Sequence, residues 1–254
     1  MEDQNIKDQI GKEFMKKTQY RYITQKSDQS LNYPQPQLQM EYDDNVQLID
    51  LPRPEEIEVE NFNLRDAIEN RQSVRKYSDE PLSLMELAWL LWATQGVKEV
   101  VRDGYCTLRN VPSAGARHAF DTFLLVNDVE GLKPGIYRYL ALEHKLMEYI
   151  IEDGIADAVV EAAYGQKMVK NDAVTFIWVA DIYRMFWRYV ERGYRYIHLD
   201  AGHVCQNLYL SAANVGAGVC AIAAFHDELF SQVLRIDGEN HFVIYLAAVG
   251  KKKE

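Results

Sequence analysis

The chain has 254 residues, a formal net charge of −10 and a pI of about 5.2. This acidic balance argues against nucleic acid or an anionic membrane as the main partner, and a content of 48% hydrophobic and 26% charged residues is typical of a globular protein. The three cysteines, Cys106, Cys205 and Cys220, form no CxxC pair, which excludes a cysteine-based zinc cage or disulfide framework.

Residues 1–60 form a polar N-terminal segment that is interrupted by four prolines. Because it has no sustained periodicity, we predict an arm rather than an independent domain, with residues 61–254 as the folded domain. The first residues lack the apolar stretch of a signal peptide, and no run reaches the ~18 apolar residues of a membrane span. We therefore expect a cytoplasmic protein without a membrane partner.

Two helices are predicted next from their end signals. Asn63 is a suitable N-cap for the segment LRDAIENR. Ser83 and Glu86 form a capping box for a second helix, which Gly96 can end as the C′ residue. Leucines at helical spacing and two tryptophans give this second helix a broad apolar face, so we expect it to be mostly buried.

The rest of the chain alternates between strand-like and helix-like segments. The predicted strands are FDTFLLVN, IYRYL, KLMEYI, AVTFIWVA, GVCAIAAF and HFVIYLAAV, and the predicted helices cover about 154–164, 182–192, 195–215 and 227–236. The hairpin-like middle of the chain argues against a simple βαβ series. We predict an α+β fold with one mixed, largely antiparallel sheet flanked by helices.

Metal and dinucleotide sites are not indicated. His198 and His203 are five residues apart, or about 140° around a helix, so they do not lie side by side, and no HExxH motif is present. The glycines of GAG at 216–218 follow a helix and precede a strand, the reverse of a dinucleotide-binding loop, so they predict a helix C-cap.

A phosphate site is the stronger hypothesis. In an extended segment, Arg71, Ser73 and Arg75 lie on one side, where two guanidinium groups and a hydroxyl suit a phosphate or carboxylate. A solvated basic turn is the alternative. The small-residue loop at 111–118, the strand–helix junction AIAAFHDELF and the closing lysines add features that suit a mononucleotide cofactor such as FMN.

Four segments in this order resemble the nitroreductase superfamily, and most closely its SagB-type dehydrogenases, which include thiazoline and oxazoline oxidases. They are RQSVRKYSDEPLSLMELAWLLWATQG, PSAGARHAFDTFLLVNDVEGLKPGIYRY, GYRYIHLDAGHVCQNLYLSAANVGAGVCAIAAF and YLAAVGK, and the resemblance covers about residues 60–251. It implies a homodimer with two FMN molecules bound in the subunit interface.

The resemblance also implies which positions contact FMN. They are Arg71, Ser73 and Arg75 for the phosphate and ribityl chain, Pro112, Ser113, Ala114 and Gly115 in a loop from the partner subunit, Ala223 and Ala224 as backbone donors near N5, and Gly250 followed by Lys251 or Lys252 at the phosphate. Typical nitroreductases have Asn where this chain has Ala116, and a Glu-Gly pair near N5 where it has two alanines. These departures weaken the expectation of NAD(P)H-dependent behaviour.

A catalytic pair is implied at Arg188 and Tyr189, where azoline oxidases have Lys-Tyr. Arginine cannot act as a base, because its pKa exceeds about 12. Tyr189 can accept a proton if neighbouring cations lower its pKa from about 10, with Arg188 as electrostatic support or substrate anchor. The alternative for Tyr189 is an ordinary aromatic residue at a helix surface or interface.

The expected function is an FMN-dependent oxidoreductase that exchanges hydride between flavin N5 and a small organic or peptide-azoline substrate. An NAD(P)H-dependent nitroreductase or flavin reductase is one alternative. A non-catalytic flavin-binding or scaffold subunit is another, and the arginine in place of lysine favours it.

Overall fold

The helices and strands follow the predicted order. A computed structural model describes residues 9–43 and 45–253, so the first eight residues of the predicted arm lie outside the described residues. The helices are α1 Ile10–Lys17, α2 Leu64–Glu69, α3 Leu84–Gln95, α4 Ile155–Ala162, α5 Met168–Asn171, α6 Ile182–Tyr189, α7 Arg192–Ser211 and α8 Asp227–Val233. The strands are β1 Leu48–Asp50, β2 Val97–Val101, β3 Cys106–Arg109, β4 Phe120–Val126, β5 Gly135–Leu140, β6 Lys145–Ile150, β7 Val174–Asp181, β8 Ala217–Ile222 and β9 His241–Lys251.

One seven-stranded sheet organises the molecule, in the order β1-β6-β5-β4-β7-β9-β8. Every neighbouring pair of these strands is antiparallel. Two isolated bridges are parallel, one between Ser73 and Val219 of β8 at the edge of the sheet and one between Leu82 and Val129. The predicted α+β fold, with a largely antiparallel sheet and flanking helices, is confirmed.

The central strand β7 divides the core into two layers. Its side chains alternate, so Phe176 and Trp178 join the layer under α3 and α7, whereas Ile177 and Val179 join the layer under α4 and α8. All four side chains are fully buried. Burial of each large apolar side chain stabilises the folded state by about 1.5–3 kcal/mol. The continuous apolar run of β7 therefore stabilises the packing of helices on both faces of the sheet.

The ends of α2 and α3 follow the predicted chemistry, with one difference. Asn63 accepts hydrogen bonds from two backbone N–H groups, and the Ser83–Glu86 capping box is formed in both directions. Gly96, however, has an extended backbone (φ −56°, ψ 132°) instead of the left-handed C′ conformation. A Cβ at this position would overlap the indole of Trp92, so close packing, not positive φ, requires the glycine.

Several features differ from the predicted elements: α1, α5 and β1 were not predicted, and α8 ends at Val233 instead of about residue 236. The break between α6 and α7 lies at 190–191, three residues before the predicted one, because Val190 turns the chain at φ 51° and is itself buried. Gly193 then passes close to Met185, where a Cβ would lie 3.2 Å from the backbone. The hairpin of β2 and β3 was not predicted, since it carries no run of alternating apolar residues.

The arm runs over the surface of the folded domain and is anchored at several points. Its strand β1 pairs with β6 at the sheet edge. The buried guanidinium of Arg138 donates to the carbonyls of Met40 and Glu41, and the Trp187 indole donates to the Tyr33 carbonyl. Across residues 9–43 and 45–253, no helix is both long and apolar enough to cross a bilayer.

Candidate functional site

The segment that contains Arg71, Ser73 and Arg75 lies across the ends of β8 and β9. Its backbone is held by two hydrogen bonds, from Val74 N to Val219 O at 2.9 Å and from Ser78 N to Lys251 O at 2.9 Å. The segment is therefore extended along the sheet edge, as the predicted alternation of side chains requires.

Two glycines allow this close contact. Gly218 and Gly250 are paired in the β8–β9 ladder. A Cβ on Gly218 would lie 2.6 Å from the Val74 side chain, and one on Gly250 would lie 2.7 Å from the Tyr77 ring. Any larger residue at either position would push the segment away from the strands.

Arg71 and Ser73 meet on Tyr209, near the end of α7. The Arg71 guanidinium lies 5.2 Å from the centroid of the Tyr209 ring, and the Ser73 and Tyr209 hydroxyls are hydrogen-bonded at 3.1 Å. The Tyr209 hydroxyl also accepts from the Ala221 N–H at 2.9 Å. Arg75 makes a long contact of 3.5 Å with the Ser73 carbonyl.

The two C-terminal lysines have different environments. Lys251 pairs with the Glu86 carboxylate and donates to the Val215 carbonyl at 3.0 Å, so its charge is already used within the fold. Lys252 is exposed and lines a small cleft together with Arg71. In the described chain, no carboxylate pairs with Arg71, Arg75 or Lys252. Lys252 is thus the better candidate of the two for a phosphate.

Ala223 and Ala224 follow β8 directly and are exposed. Their backbone N–H groups donate to no other described residue, whereas the Ala224 carbonyl accepts from Gln166 at 2.9 Å. The first turn of α8 is capped by His226, whose ring accepts from Leu229 N–H. Two adjacent donors are therefore available at the end of β8, in a place open to a ligand.

The Pro112–Gly115 loop is fixed on the middle of α7. The Ser113 hydroxyl donates to Asp200 at 2.6 Å, and the Ala114 N–H donates to the same carboxylate at 3.2 Å. Burial raises the pKa of Asp200, and these hydrogen bonds oppose that shift. Pro112 is exposed at the start of the loop, and Gly115 has φ 59°, a conformation that favours glycine.

Helix α6 holds the Arg188–Tyr189 pair. Its first turn is fixed because Arg184, which is 2% exposed, pairs with Asp121 at 2.7 Å and with Asp181 at 3.0 Å. One turn further on, Arg188 donates to the Tyr105 hydroxyl at 3.0 Å. Ion pairs this deeply buried are costly to break, so the start of α6 is a rigid base for the pair.

The Tyr189 side chain lies between two predicted features. Its ring packs edge-on against Tyr196 of α7, with centroids 4.9 Å apart. A Cβ on Gly115 would overlap the Tyr189 hydroxyl oxygen and lie 3.1 Å from Arg188. The hydroxyl hydrogen-bonds to none of the residues at 9–43 or 45–253. The predicted loop and the predicted pair are therefore adjacent, and one phenol is available there.

One chain does not bring all the predicted residues together. Ser73 contacts α7 at Tyr209, whereas Ser113 contacts it at Asp200. At 1.5 Å per residue, these contact points are about 14 Å apart along the helix. The phosphate-side residues and the Pro112–Gly115 loop thus occupy separate parts of one subunit.

Sequence reasoning missed Tyr209 and Tyr105, which organise the two halves of the site. Tyr209 lies within the third of the four family-like segments but is not among the implied FMN contacts, and Tyr105 belongs to the turn of the unpredicted β2–β3 hairpin. The three cysteines are buried and free. Within the part of the chain that the structure describes, no group of three His, Cys, Asp or Glu side chains is arranged to hold a metal ion.

Sequence comparisons identify relatives over most of the chain. The profile described as "Nitroreductase family" matches residues 68–251. MJ1384 of Methanocaldococcus jannaschii, named as a nitroreductase, is 34% identical over 197 residues, which are 78% of this chain and 95% of that protein. The trifolitoxin-processing protein TfxB of Rhizobium leguminosarum is 30% identical over 131 residues, which are 50% of this chain and 35% of TfxB.

Solved structures share the fold at lower identity. A Ralstonia eutropha protein named as a nitroreductase has a TM-score of 0.67 and 22% identity, covering 87% of this chain and 95% of its own. The Escherichia coli microcin synthetase McbBCD complex, solved with truncated pro-MccB17 bound, gives a TM-score of 0.60 and 19% identity, covering 83% and 80%. A Desulfovibrio desulfuricans protein named as a nitroreductase, solved with FMN, gives 0.52 and 16%, covering 77% and 89%.

Proposed function

This chain belongs to the nitroreductase family, and from that premise we propose that it is an FMN-dependent oxidoreductase of the SagB type. The substrate would be a small organic molecule or a peptide azoline. One observation carries the proposal: Arg71 and Lys252 line one cleft, with Ser73 beside them, and lack carboxylate partners among the described residues. Unpaired cations around a hydroxyl are suited to a phosphate monoester.

The residues present fit FMN at both ends of the molecule. Arg71, Arg75 and Lys252 would bind its phosphate, and Ser73 its ribityl chain or phosphate. The unpartnered N–H groups of Ala223 and Ala224 would donate to the polar edge of the ring. When bound, FMN supplies the hydride acceptor and donor, so the protein has to bind, orient and move protons.

We propose a homodimer because the parts of the site are separated within one chain. The Pro112–Gly115 loop would reach the flavin that is bound mainly by the other subunit. The Gly115 backbone lies against Tyr189. The Arg188–Tyr189 pair would therefore lie next to the same flavin as the loop, the one bound mainly by the other subunit. The arrangement gives a chemical reason for a shared site: one subunit binds the phosphate, and its partner brings the proton acceptor.

In this proposal Tyr189 is the proton acceptor. Removal of hydride from a carbon next to nitrogen or sulfur also releases a proton, which a positioned base must take up. The Tyr189 hydroxyl has no hydrogen-bond partner in the described chain, and the Arg188 guanidinium lies 5.5 Å from the Tyr189 ring centroid. The fixed positive charge favours an anionic substrate at this point.

A peptide substrate is favoured over a free small molecule by two relatives. TfxB is named for trifolitoxin processing, and the McbBCD complex was solved with a microcin precursor bound. The alanines at 116, 223 and 224, in place of the Asn and Glu-Gly of typical nitroreductases, also favour a dehydrogenase over an NAD(P)H-dependent reductase.

The cofactor assignment is tested by FMN titration of the purified protein, followed by flavin fluorescence. Arg71→Ala should weaken binding by about 1.5–3 kcal/mol, or roughly ten- to a hundredfold, because a charge-assisted contact to phosphate is lost. Lys76→Ala is the matched control, since Lys76 is an exposed cation of the same segment but falls on the opposite side in the alternation. Equal FMN affinity of Arg71→Ala and Lys76→Ala would contradict the assignment.

The reaction class is tested by a visible spectrum recorded under anaerobic conditions. We expect a yellow protein that NAD(P)H does not bleach and that a peptide azoline does. Bleaching by NAD(P)H alone would instead identify a reductase. A protein that cannot be loaded with FMN would identify a scaffold subunit and end the proposal.

A further inference from the structure

The described part of the arm carries a strong separation of charge. Residues 9–27 contain five lysines or arginines and one carboxylate, whereas residues 28–60 contain nine carboxylates and one arginine. The basic part lies outside the region that matches the family profile. In a chain of net charge −10, such a concentration of positive charge is typical of a segment that binds another molecule.

The cations of this part stack on exposed tyrosines. Lys16 and Arg21 lie 5.7 Å and 4.9 Å from the centroid of the Tyr22 ring. Arg192, from the start of α7, lies 5.0 Å from the Tyr20 ring. Tyr20 is 65% exposed and Tyr22 is 45% exposed, so the rings present open apolar faces next to positive charge.

Side-chain contacts link the basic part of the arm to the Arg188–Tyr189 pair. Arg192 also lies 5.3 Å from the Tyr196 ring, whose hydroxyl is hydrogen-bonded to that of Tyr20. Tyr196 in turn packs against Tyr189 at 4.9 Å, and Arg188 lies over the Tyr189 ring. A chain of cation–ring and ring–ring contacts therefore leads from the arm to the proposed proton acceptor.

The arm is fixed in this position by polar contacts. Arg192 donates to the Thr18 carbonyl at 2.9 Å, and Arg195 donates to the Met15 carbonyl at 2.7 Å. Gln29 donates to the Tyr105 hydroxyl at 2.7 Å, the same hydroxyl that accepts from Arg188. The arm is thus fixed at two places: its basic part is held by Arg192 and Arg195, and Gln29 is held at Tyr105 beside the pair.

The positive charge of this surface is not neutralised inside the described chain. No carboxylate there forms an ion pair with Lys16, Arg21, Arg188 or Arg192. Two nearby acids have other partners: Glu13 pairs with Lys17, and Asp28 accepts from the Tyr183 hydroxyl. The acidic half of the arm therefore does not cover its basic half.

We propose that this surface binds a glutamate- or aspartate-rich segment of the peptide that enters the Arg188–Tyr189 site. The inference rests on the proposed function, because it names the class of peptide that the same site receives. Carboxylates would pair with Lys16, Arg21 and Arg192, and apolar side chains would contact the exposed tyrosine rings. A long nucleic acid is a worse fit, since the net charge of −10 repels an extended polyanion away from this patch.

The test is fluorescence anisotropy with the FMN-loaded, full-length protein. The probes are a labelled glutamate-rich peptide and its glutamine counterpart of equal length. We expect the glutamate peptide to bind at least tenfold more tightly in low salt, and the preference to shrink as salt is added. Equal affinity for the two peptides would overturn the proposal.

Two double variants test whether the peptide binds at the basic part of the arm. Lys16→Gln with Arg21→Gln removes two cations whose side chains make no hydrogen bond to the described residues, and should weaken binding of the glutamate peptide roughly two- to thirtyfold. The control is Lys133→Gln with Lys167→Gln, which removes the same charge from exposed positions elsewhere. An equal loss in the control would show a general charge effect and overturn the assignment.

Two further measurements separate this inference from the proposed function. A single-stranded oligonucleotide that binds more tightly than the glutamate peptide would overturn the peptide assignment. The same titration with FMN-free protein shows whether peptide binding depends on the cofactor. Selective binding of the glutamate peptide by a protein that takes up no FMN would support the docking surface while rejecting the oxidoreductase.

Discussion

Gly218→Ala tests how the cofactor segment is held on the sheet. The added Cβ would lie 2.6 to 2.8 Å from three atoms of the Val74 side chain, well inside van der Waals contact. Val74 is β-branched and its N–H is bound to β8, so it has little freedom to move aside. Overpacking of this kind costs about 1–3 kcal/mol, which is comparable to or larger than the ~0.5–1.5 kcal/mol of the one hydrogen bond from Val74.

The segment should therefore separate from β8 in this variant. Arg71 and Ser73 would then lose their positions at Tyr209, and FMN affinity should fall by about tenfold or more, since 1.4 kcal/mol corresponds to a factor of ten. Urea unfolding measures the stability change, and FMN titration measures the affinity. Combining Gly218→Ala with Val74→Ala removes two of the three overlapping atoms and leaves the Cβ of residue 74, so it should restore part of the affinity.

Gly11→Ala is the control, because a Cβ there meets no atom of the described residues within 4 Å. It should leave FMN affinity unchanged and stabilise α1 slightly, by up to about 1 kcal/mol. The reasoning would be refuted if Gly218→Ala bound FMN like the wild type. It would also be refuted if the Val74→Ala combination were no better than Gly218→Ala alone.

Three further predictions follow from the site. Tyr189→Phe should retain FMN but reduce it at least a hundredfold more slowly with substrate in single-turnover stopped flow; an unchanged rate would show that Tyr189 is not the base. Sedimentation should find an FMN-loaded dimer at micromolar concentration, and a loaded monomer would exclude the shared site. Burial, with Arg109 and Arg117 nearby, lowers the pKa of His118 to about 3 from 6.5, so its contribution to stability should be full above pH 6.5 and decline as the pH falls toward 3. Urea unfolding at a series of pH values should find this decline smaller in His118→Gln, and an identical decline would contradict the assignment.

Local chemistry predicted most of the fold. The apolar run at β7, the capping box of α3 and the helix C-cap at Gly216 are determined by neighbouring residues, so the sequence alone contains their signals. The β2–β3 hairpin was not predicted, because only a few of its residues are buried and because it forms a separate two-stranded sheet. The α6–α7 boundary was displaced because Gly193 must approach Met185, a tertiary contact that no local pattern records.

Candidate site residues could be predicted from residue type and spacing. Their tertiary contacts, which decide which of them are free to bind a ligand, could not. Arg71 and Ser73 were singled out by charge and alternation, and both do reach one partner, Tyr209. The choice between Lys251 and Lys252 could not be made from sequence. It depends on Glu86, which comes from the first turn of a distant helix and pairs with Lys251.

Arg188 occupies the position where the resemblance to azoline oxidases implies a lysine, and the structure shows what the arginine contacts there. Its guanidinium donates to Tyr105 while its charge lies 5.5 Å from the Tyr189 ring, and the planar, delocalised group of arginine is suited to both contacts at once. Tyr105 is also held by Gln29 of the arm, so the arginine, the hairpin turn and the arm depend on one another. Lysine would offer a compact, strongly hydrated charge and would leave the Tyr105 hydroxyl with a weaker contact. In the proposed site, the arginine at 188 is therefore better explained by its contacts with Tyr105 and Tyr189 than as the mere loss of a lysine that could act as a base.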